Sequence, residues 1–349
     1  MSDNISYVDI CCGLSWGDEA KGKIVSQLAK SRKYNFVCRW GGGNNAGHTV
    51  YVKNTKYKTH LIPSGIFYDV VSVIGPDCVI NIKSFFEEIE YLKRHNFNTS
   101  LIKISPKAHV VMDKHIKEDI EKLSLTQGST SRGIAPCYGD KYNRSGKQVK
   151  DFKELQEYIW DEKLHGVILC EGAQGFWLDI NYGNYPYTTS STTLPYSACS
   201  LGFSPKLINN IYGAVKIYDT RSGIDPDFPD SLLEDEELKL IGKIGEEYGV
   251  TTNRLRKVNW LNINKLIKSI NITGTNILII SKIDILEKVD IYKLYNTTDQ
   301  IQEFENIDHI KKYIETTINL NCNMLNEIIF SSNPYNINNS TNYTNLNVI

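Results

Sequence analysis

The chain has 349 residues, a formal net charge of −1 at pH 7 and 41% hydrophobic residues. This balance argues against a strongly basic nucleic-acid surface while leaving room for local basic patches, and no apolar run approaches the roughly 18 residues that a membrane span needs. Met1-Ser2-Asp3-Asn4 has neither the basic region nor the apolar stretch of a secretory signal, and the eight cysteines form no C-x-x-C pair, so a cytoplasmic protein with buried, reduced thiols is expected.

Tyr7 to Cys12 reads as a buried strand. A tight loop follows, Trp16-Gly17-Asp18-Glu19-Ala20-Lys21-Gly22-Lys23, and then Ile24, Val25 and Leu28 at helical spacing. The loop fits G-x-x-x-x-G-K through Gly17, Gly22 and Lys23, with Ile24 where a phosphate loop has Ser or Thr. Small residues let the backbone approach an anion, and amides at a helix N-terminus point at it. A second strand, Tyr34 to Arg39, leads into Gly41-Gly42-Gly43-Asn44-Asn45-Ala46-Gly47-His48-Thr49. Together Asp18, the lysines and His48 make a phosphoryl-transfer set.

Further on, 50–52 and 57–60 predict a hairpin around a polar turn at 53–56. Strands are predicted at 70–74, 101–104 and 108–112, and helices at 84–93 and 113–123, the second capped by Asp113. Residues 126–148 lack periodicity and read as a long loop. A helix is predicted at 151–163, then a strand at 167–170 that ends on Glu171-Gly172-Ala173-Gln174; polar residues at such strand ends are where open α/β sheets bind ligands. Strands at 208–218, 276–281 and 327–330 alternate with helices at 232–241, 261–270 and 304–320. The alternation predicts one α/β domain over 1–335, with a mostly parallel central sheet, helices on both faces and a P-loop-like phosphate loop. The Asn-rich tail, 336–349, is expected to be poorly ordered.

The two glycine-rich stretches resemble those of the adenylosuccinate synthetase family, W-G-D-E-G-K-G-K and G-G-x-N-A-G-H-T, with only Ala20 departing from the first. The resemblance runs collinearly through His60-Leu61-Ile62-Pro63-Ser64-Gly65, Ser129-Thr130-Ser131-Arg132-Gly133-Ile134, Glu171-Gly172-Ala173-Gln174-Gly175, Tyr185-Pro186-Tyr187-Thr188-Thr189-Ser190-Ser191, Thr251-Thr252-Asn253-Arg254 and Lys282-Ile283-Asp284. That family joins IMP to L-aspartate with GTP: O6 of the purine is phosphorylated, then the aspartate amine displaces phosphate from C6.

The resemblance implies residue roles. Asp18 matches the general base at N1 and, with the carbonyl of Gly47, a ligand of Mg²⁺; the alternative is a cap of the following helix. His48 matches the catalytic acid at the GTP phosphates, Lys21 the lysine on the transferred phosphoryl group, and Gln174 the group that holds O6. Gly17, Gly22, Lys23, Gly47 and Thr49 belong to the GTP phosphate loops. Lys282 and Asp284 match the guanine-reading pair, with Ser331 in a second base-contacting loop. Asn45, Thr130, Thr189 and Arg144 match IMP contacts, Arg144 acting from the neighbouring subunit of a homodimer. Thr251, Arg254 and Arg256 match the aspartate site, where two guanidinium groups suit two carboxylates. Glu171 reads as a structural carboxylate at a strand end.

The chain also departs from the pattern. Asn253 and Leu255 replace a glycine and an arginine. Asp219-Thr220-Arg221-Ser222-Gly223-Ile224-Asp225-Pro226-Asp227 replaces a neutral T-R-V-G-G-G-P-F-P, so Asp225 and Asp227 are expected to add negative charge beside the nucleotide. Two other readings stand beside this one: a viral-type relative acting on dGMP, in which the position of Asp18 tends to be small, and a nucleotide-binding homologue without catalysis.

Overall fold

A computed structural model describes residues 4–248 and 256–337. Its centre is an eight-stranded sheet with all neighbours parallel, in the order Glu327–Ser331, Ile277–Ser281, Ile208–Lys216, Ile5–Gly13, Gly166–Gly175, Phe36–Arg39, Val71–Ile74 and Ile102–Ile104. The first strand is central because its side chains are apolar on both faces. Val8, Ile10 and Cys12 point into one core and Cys11 into the other, as a period of two requires. Helices Ile263–Thr273 and Ile307–Asn321 cover the first face through Leu266, Ile270, Ile310, Ile314 and Ile318. Helix Lys21–Lys30 covers the other through Ile24, Val25 and Ala29. Each fully buried aliphatic side chain contributes about 1.5–3 kcal/mol. Parallel pairing brings the C-terminal ends Gly13, Arg39, Gly175, Lys216 and Ser281 to one edge, where the loops between strands and helices gather.

Several local expectations give way to the structure. The hairpin turn is two residues, Lys53 and Asn54, both left-handed (φ 47° and 66°), between strands His48–Val52 and Thr55–Thr59. Asp113 does not cap its helix: Met112 is the N-cap residue, and His115 Nδ1 accepts from Met112 N at 3.0 Å. Within 126–148 lies a helix, Ile134–Tyr142, whose buried Ile134, Cys137 and Tyr138 follow i, i+3, i+4 spacing. Three anchors interrupted by Pro136 and Gly139 are too few for periodicity to register. The predicted helix at 151–163 is instead a pair of short 3₁₀ turns, Val149–Asp151 and Lys153–Tyr158. In the second, only Leu155 and Tyr158 are buried, and i, i+3 is the spacing a 3₁₀ turn aligns. The strand after it does not stop at Cys170 but carries Glu171 to Gly175 within it.

Seven of the eight cysteines are buried, Cys199 partly, and all are free. No helix among the described residues is long and apolar enough to cross a membrane. The tail beyond Ile337 lies outside the described residues.

Candidate active site

A cleft of about 940 Å³ opens over the C-terminal edge of the sheet. The loop leaving the first strand forms its floor. Gly17, Asp18 and Ala20 are left-handed (φ 92°, 60° and 69°), and Ala20 is the N-cap residue of helix Lys21–Lys30, without a side-chain cap. Asp18 is therefore not a helix cap. The loop interior is filled by Glu19, whose carboxylate accepts from Gly17 N at 2.8 Å, Ser15 N at 3.3 Å and Lys21 Nζ at 2.5 Å. Burial alone would raise Glu19, but Lys21 and the backbone donors hold it below the ordinary carboxylate range. A Cβ at Gly13 or Gly175 would lie 2.5 or 2.2 Å from a Glu19 carboxylate oxygen, which is why both positions are glycine. Glu19 carries no periodic or spacing signal, so sequence reading passed over it.

Lys21 and Lys23 both line the cleft and are buried. Lys23 Nζ donates to Ser331 Oγ and Asn333 O, each at 2.8 Å, tying the helix to the loop after the last strand. Burial pulls Lys23 down to about 8, partly opposed by Asp284. Ser331 itself is buried behind this lysine, while its neighbours Asn333 and Pro334 line the cleft.

The second glycine-rich loop contributes Asn45, Gly47, His48 and Thr49. His48 is 4% exposed and its Nδ1 contacts Glu171 Oε1; Nε2 has no partner among the described residues. Burial lowers His48 below the ordinary imidazole value, partly opposed by the Glu171 carboxylate. Burial works to raise Glu171, and the polar and charged groups around it, His48 first among them, bring it below its ordinary value. Tyr138 anchors the start of the loop, accepting from Gly42 N at 3.0 Å while donating to Asp77 O at 2.7 Å.

On the opposite wall, Asp18 Oδ2 pairs with Arg256 Nη2 at 2.9 Å, and Arg256 Nη1 pairs with Glu247 Oε2 at 2.6 Å. Glu247 also accepts from Lys216 Nζ at 3.0 Å and Tyr218 Oη at 2.8 Å. Burial would raise this carboxyl, but Lys216, Arg256 and Lys282 bring it to about 2. Neither Lys216 nor Glu247 was singled out in the sequence; a lysine closing an apolar strand, next to the helix side of the cleft, was the one available signal.

Thr130, Gln174 and Thr189 line the same cleft, as do Lys282 and Asp284. Asp284 Oδ2 pairs with Lys288 at 2.6 Å, and Lys282 Nζ donates to Gly245 O at 2.7 Å. Arg144 is not brought in: it is exposed, left-handed (φ 63°) and does not line this chain's cleft. Thr251 and Arg254 lie outside the described residues.

The expected charge beside the nucleotide is absent from the cleft wall, because Asp225 and Asp227 do not line it. Asp225 is buried, accepting from Trp16 Nε1 at 3.2 Å and from Asn184 Nδ2 at 2.8 Å, with Arg221 Nε 3.5 Å away. Asp227 pairs with Lys265 at 2.5 Å. The two carboxylates brace the loop from behind and leave Arg221 and Ser222 facing the cleft.

The family model described as adenylosuccinate synthetase matches residues 10–168 and 153–320. The chain is 35% identical over 352 residues to adenylosuccinate synthetase of Heliobacterium modesticaldum, covering 84% of this chain and 82% of that one. It is 38% identical to that of Clostridium botulinum strain Eklund 17B, covering 82% and 79%. The fully ligated adenylosuccinate synthetase of Plasmodium falciparum superposes with a TM-score of 0.79 at 28% identity, over 95% of this chain and 99% of that one. A cyanophage S-2L succinoaminodeoxyadenylate synthetase, bound to dGMP and to dATP as energy donor, has a TM-score of 0.71 at 19% identity, over 95% and 94% of the two chains. The latter likeness is one of fold alone.

Proposed function

The chain belongs to the adenylosuccinate synthetase family, a ligase family of purine biosynthesis that forms a C–N bond, and on that premise we propose that its cleft joins L-aspartate to IMP with GTP as phosphoryl donor. One observation carries the proposal. Asp18, Lys21, His48 and Gln174, drawn from three separate segments, line one cleft together with Asp284.

The chemistry follows from these groups. Asp18 takes the proton from N1 of IMP, so that O6 becomes nucleophilic and attacks the γ-phosphorus of GTP, releasing GDP. Lys21 offsets charge on the transferred group, His48 hydrogen-bonds the departing diphosphate, and Gln174 holds O6. The aspartate amine then adds at C6, loses a proton and expels phosphate. Arg254 and Arg256 pair with the carboxylates of aspartate, for which Arg256 exchanges its contact with Asp18. Magnesium is a hard-oxygen ion, and a single carboxylate at Asp18 with the Gly47 carbonyl, completed by phosphate oxygens, is a donor set that fits it. When bound, it neutralises phosphate charge.

Product analysis tests the proposal: purified protein with GTP, Mg²⁺, aspartate and a panel containing IMP and dGMP. Adenylosuccinate from IMP is expected. Product from dGMP alone would favour the viral-type activity, and GTP binding without aspartate-dependent phosphate release would favour a non-catalytic homologue.

Donor choice rests on Asp284, a carboxylate that accepts from both N1–H and the 2-amino group of guanine. GTP should therefore be used in preference to ATP. Asp284→Asn should cut the GTP/ATP ratio of kcat/KM by about tenfold or more, the worth of a hydrogen bond to a charged group. Equal use of ATP by the unmodified protein would sink this reading.

The exposed position of Arg144, away from its own cleft, supports a homodimer in which it reaches the partner's nucleotide. Mixing inactive Asp18→Ala and Arg144→Leu proteins should restore activity, up to about a quarter of wild-type sites on random exchange, since one site of each mixed dimer carries both native residues. No recovery despite demonstrated subunit exchange would count against it.

A further inference from the structure

We propose that Glu171 is the positioning residue for His48: it holds the imidazole in the Nδ1–H tautomer and leaves Nε2 as the nitrogen offered to the nucleotide. The proposal rests on the reading of His48 as a group of the active cleft. Its basis is geometric. Glu171 is fully buried within a central strand, four residues before its end at Gly175, and its two carboxylate oxygens are surrounded by donors. Ser64 N donates to Oε2 and Ser64 Oγ to Oε1, each at 2.7 Å, and His48 Nδ1 contacts Oε1. A carboxylate so placed accepts only, so the ring nitrogen facing it carries the hydrogen. The other ring nitrogen is buried and has no partner among the described residues.

The backbone that carries His48 is held by a second chain of contacts. Arg39, in register with Glu171 on the neighbouring strand, is fully buried and donates from Nη1 to His60 O at 2.6 Å. His60 Nδ1 donates to Ala46 O at 2.8 Å, two residues before His48. The three consecutive amides of His60, Leu61 and Ile62 donate to the buried Glu88 at 3.0–3.1 Å, which fixes that segment. Ring and backbone are thus fixed separately, and Cβ of His48 packs against Gly22, where an added Cβ would come within 2.8 Å of it. A carboxylate behind a histidine has two effects on a reaction: it sets which nitrogen is free, and it stabilises positive charge that develops on the ring.

The test combines a spectroscopic signature with kinetics. In the wild-type protein labelled with ¹⁵N-histidine, at a pH where the ring is neutral, His48 should show a protonated Nδ1 and a bare Nε2. Glu171→Gln, whose amide must turn an N–H toward Ser64 or His48, should mix the tautomers. It should also lower kcat about 10- to 100-fold, with KM for IMP and GTP within about threefold. Glu171→Asp, which keeps the charge, should recover part of that loss. An Nε2–H tautomer in the wild type, or unchanged kcat in a folded Glu171→Gln protein, overturns the proposal. If Glu171→Gln does not fold, the wild-type spectrum alone decides. If the wild type makes no adenylosuccinate, the functional reading fails, while the spectrum still decides the role of Glu171.

Discussion

Asp18→Asn should lower turnover with IMP by on the order of 10²–10⁴, with the fold and GTP binding retained. A carboxamide cannot accept the N1 proton, so O6 stays a poor nucleophile, and the loss of an anionic ligand for Mg²⁺ adds to the defect. The backbone should not object: Asp18 is left-handed at φ 60°, a conformation that Asn adopts readily. The pair with Arg256 is weakened, but at 30% side-chain exposure of Asp18 such a pair is worth only about 1 kcal/mol. His48→Asn should also be slow, and the two defects should combine non-additively, since both act on one phosphoryl transfer. Steady-state kinetics, a GTP-binding titration and circular dichroism check this together. Near-normal turnover of Asp18→Asn with IMP would mean that the mechanism proposed above is wrong.

The second large effect is on stability. Glu247→Gln should destabilise the protein by about 3–5 kcal/mol at pH 7, because Lys216 and Arg256 would lose a buried counter-charge. The pH dependence has a definite sign. The folded-state pKa, about 2, lies below the ordinary 4.5, so the folded protein binds this proton less readily than the unfolded chain. The ionised carboxylate thus contributes stability that is full above pH 4.5 and is lost as pH falls toward 2, on the order of 3 kcal/mol for such a shift. The gap between wild type and Glu247→Gln should narrow in urea titrations between pH 5 and 3. A gap that stays constant over that range would show that Glu247 does not stabilise through its charge.

Glu247 also illustrates why part of the site was not legible. It lies nine residues before Arg256, between Gly245 and Gly249, which in the sequence mark only a turn, and its three cationic neighbours come from positions 216, 256 and 282. Ion pairing across such separations leaves no local pattern. Glu19 is similar: nothing local sets it apart from Asp18 beside it, yet the left-handed turns at 17, 18 and 20 send it inward to Lys21, fully buried, while Asp18 stays partly exposed. The loop at 219–227 was misjudged for a related reason. In the sequence its acids stand as free charges, whereas Trp16, Asn184, Arg221 and Lys265 engage them from behind.

Features that repeat at short range are legible along the chain without the fold. Apolar runs such as Tyr7–Cys12 and 276–281 define buried parallel strands, because both faces of such a strand must be apolar. The two glycine-rich stretches suggested an anion site through small residues at fixed offsets, and the collinear resemblance to one family brought Asp18, Lys21, His48 and Gln174 into consideration. Only the tertiary structure decided where the carboxylates point and which of them are neutralised. It placed a helix, Ile134–Tyr142, within 126–148 through three buried anchors, and it set Glu171 behind His48 from 123 residues away. The physical reason is the same in each case. Backbone periodicity is local and written in neighbouring residues, but charge pairing and burial depend on groups that meet only after the sheet has formed, when the low dielectric of the interior makes an unpaired charge too costly to keep.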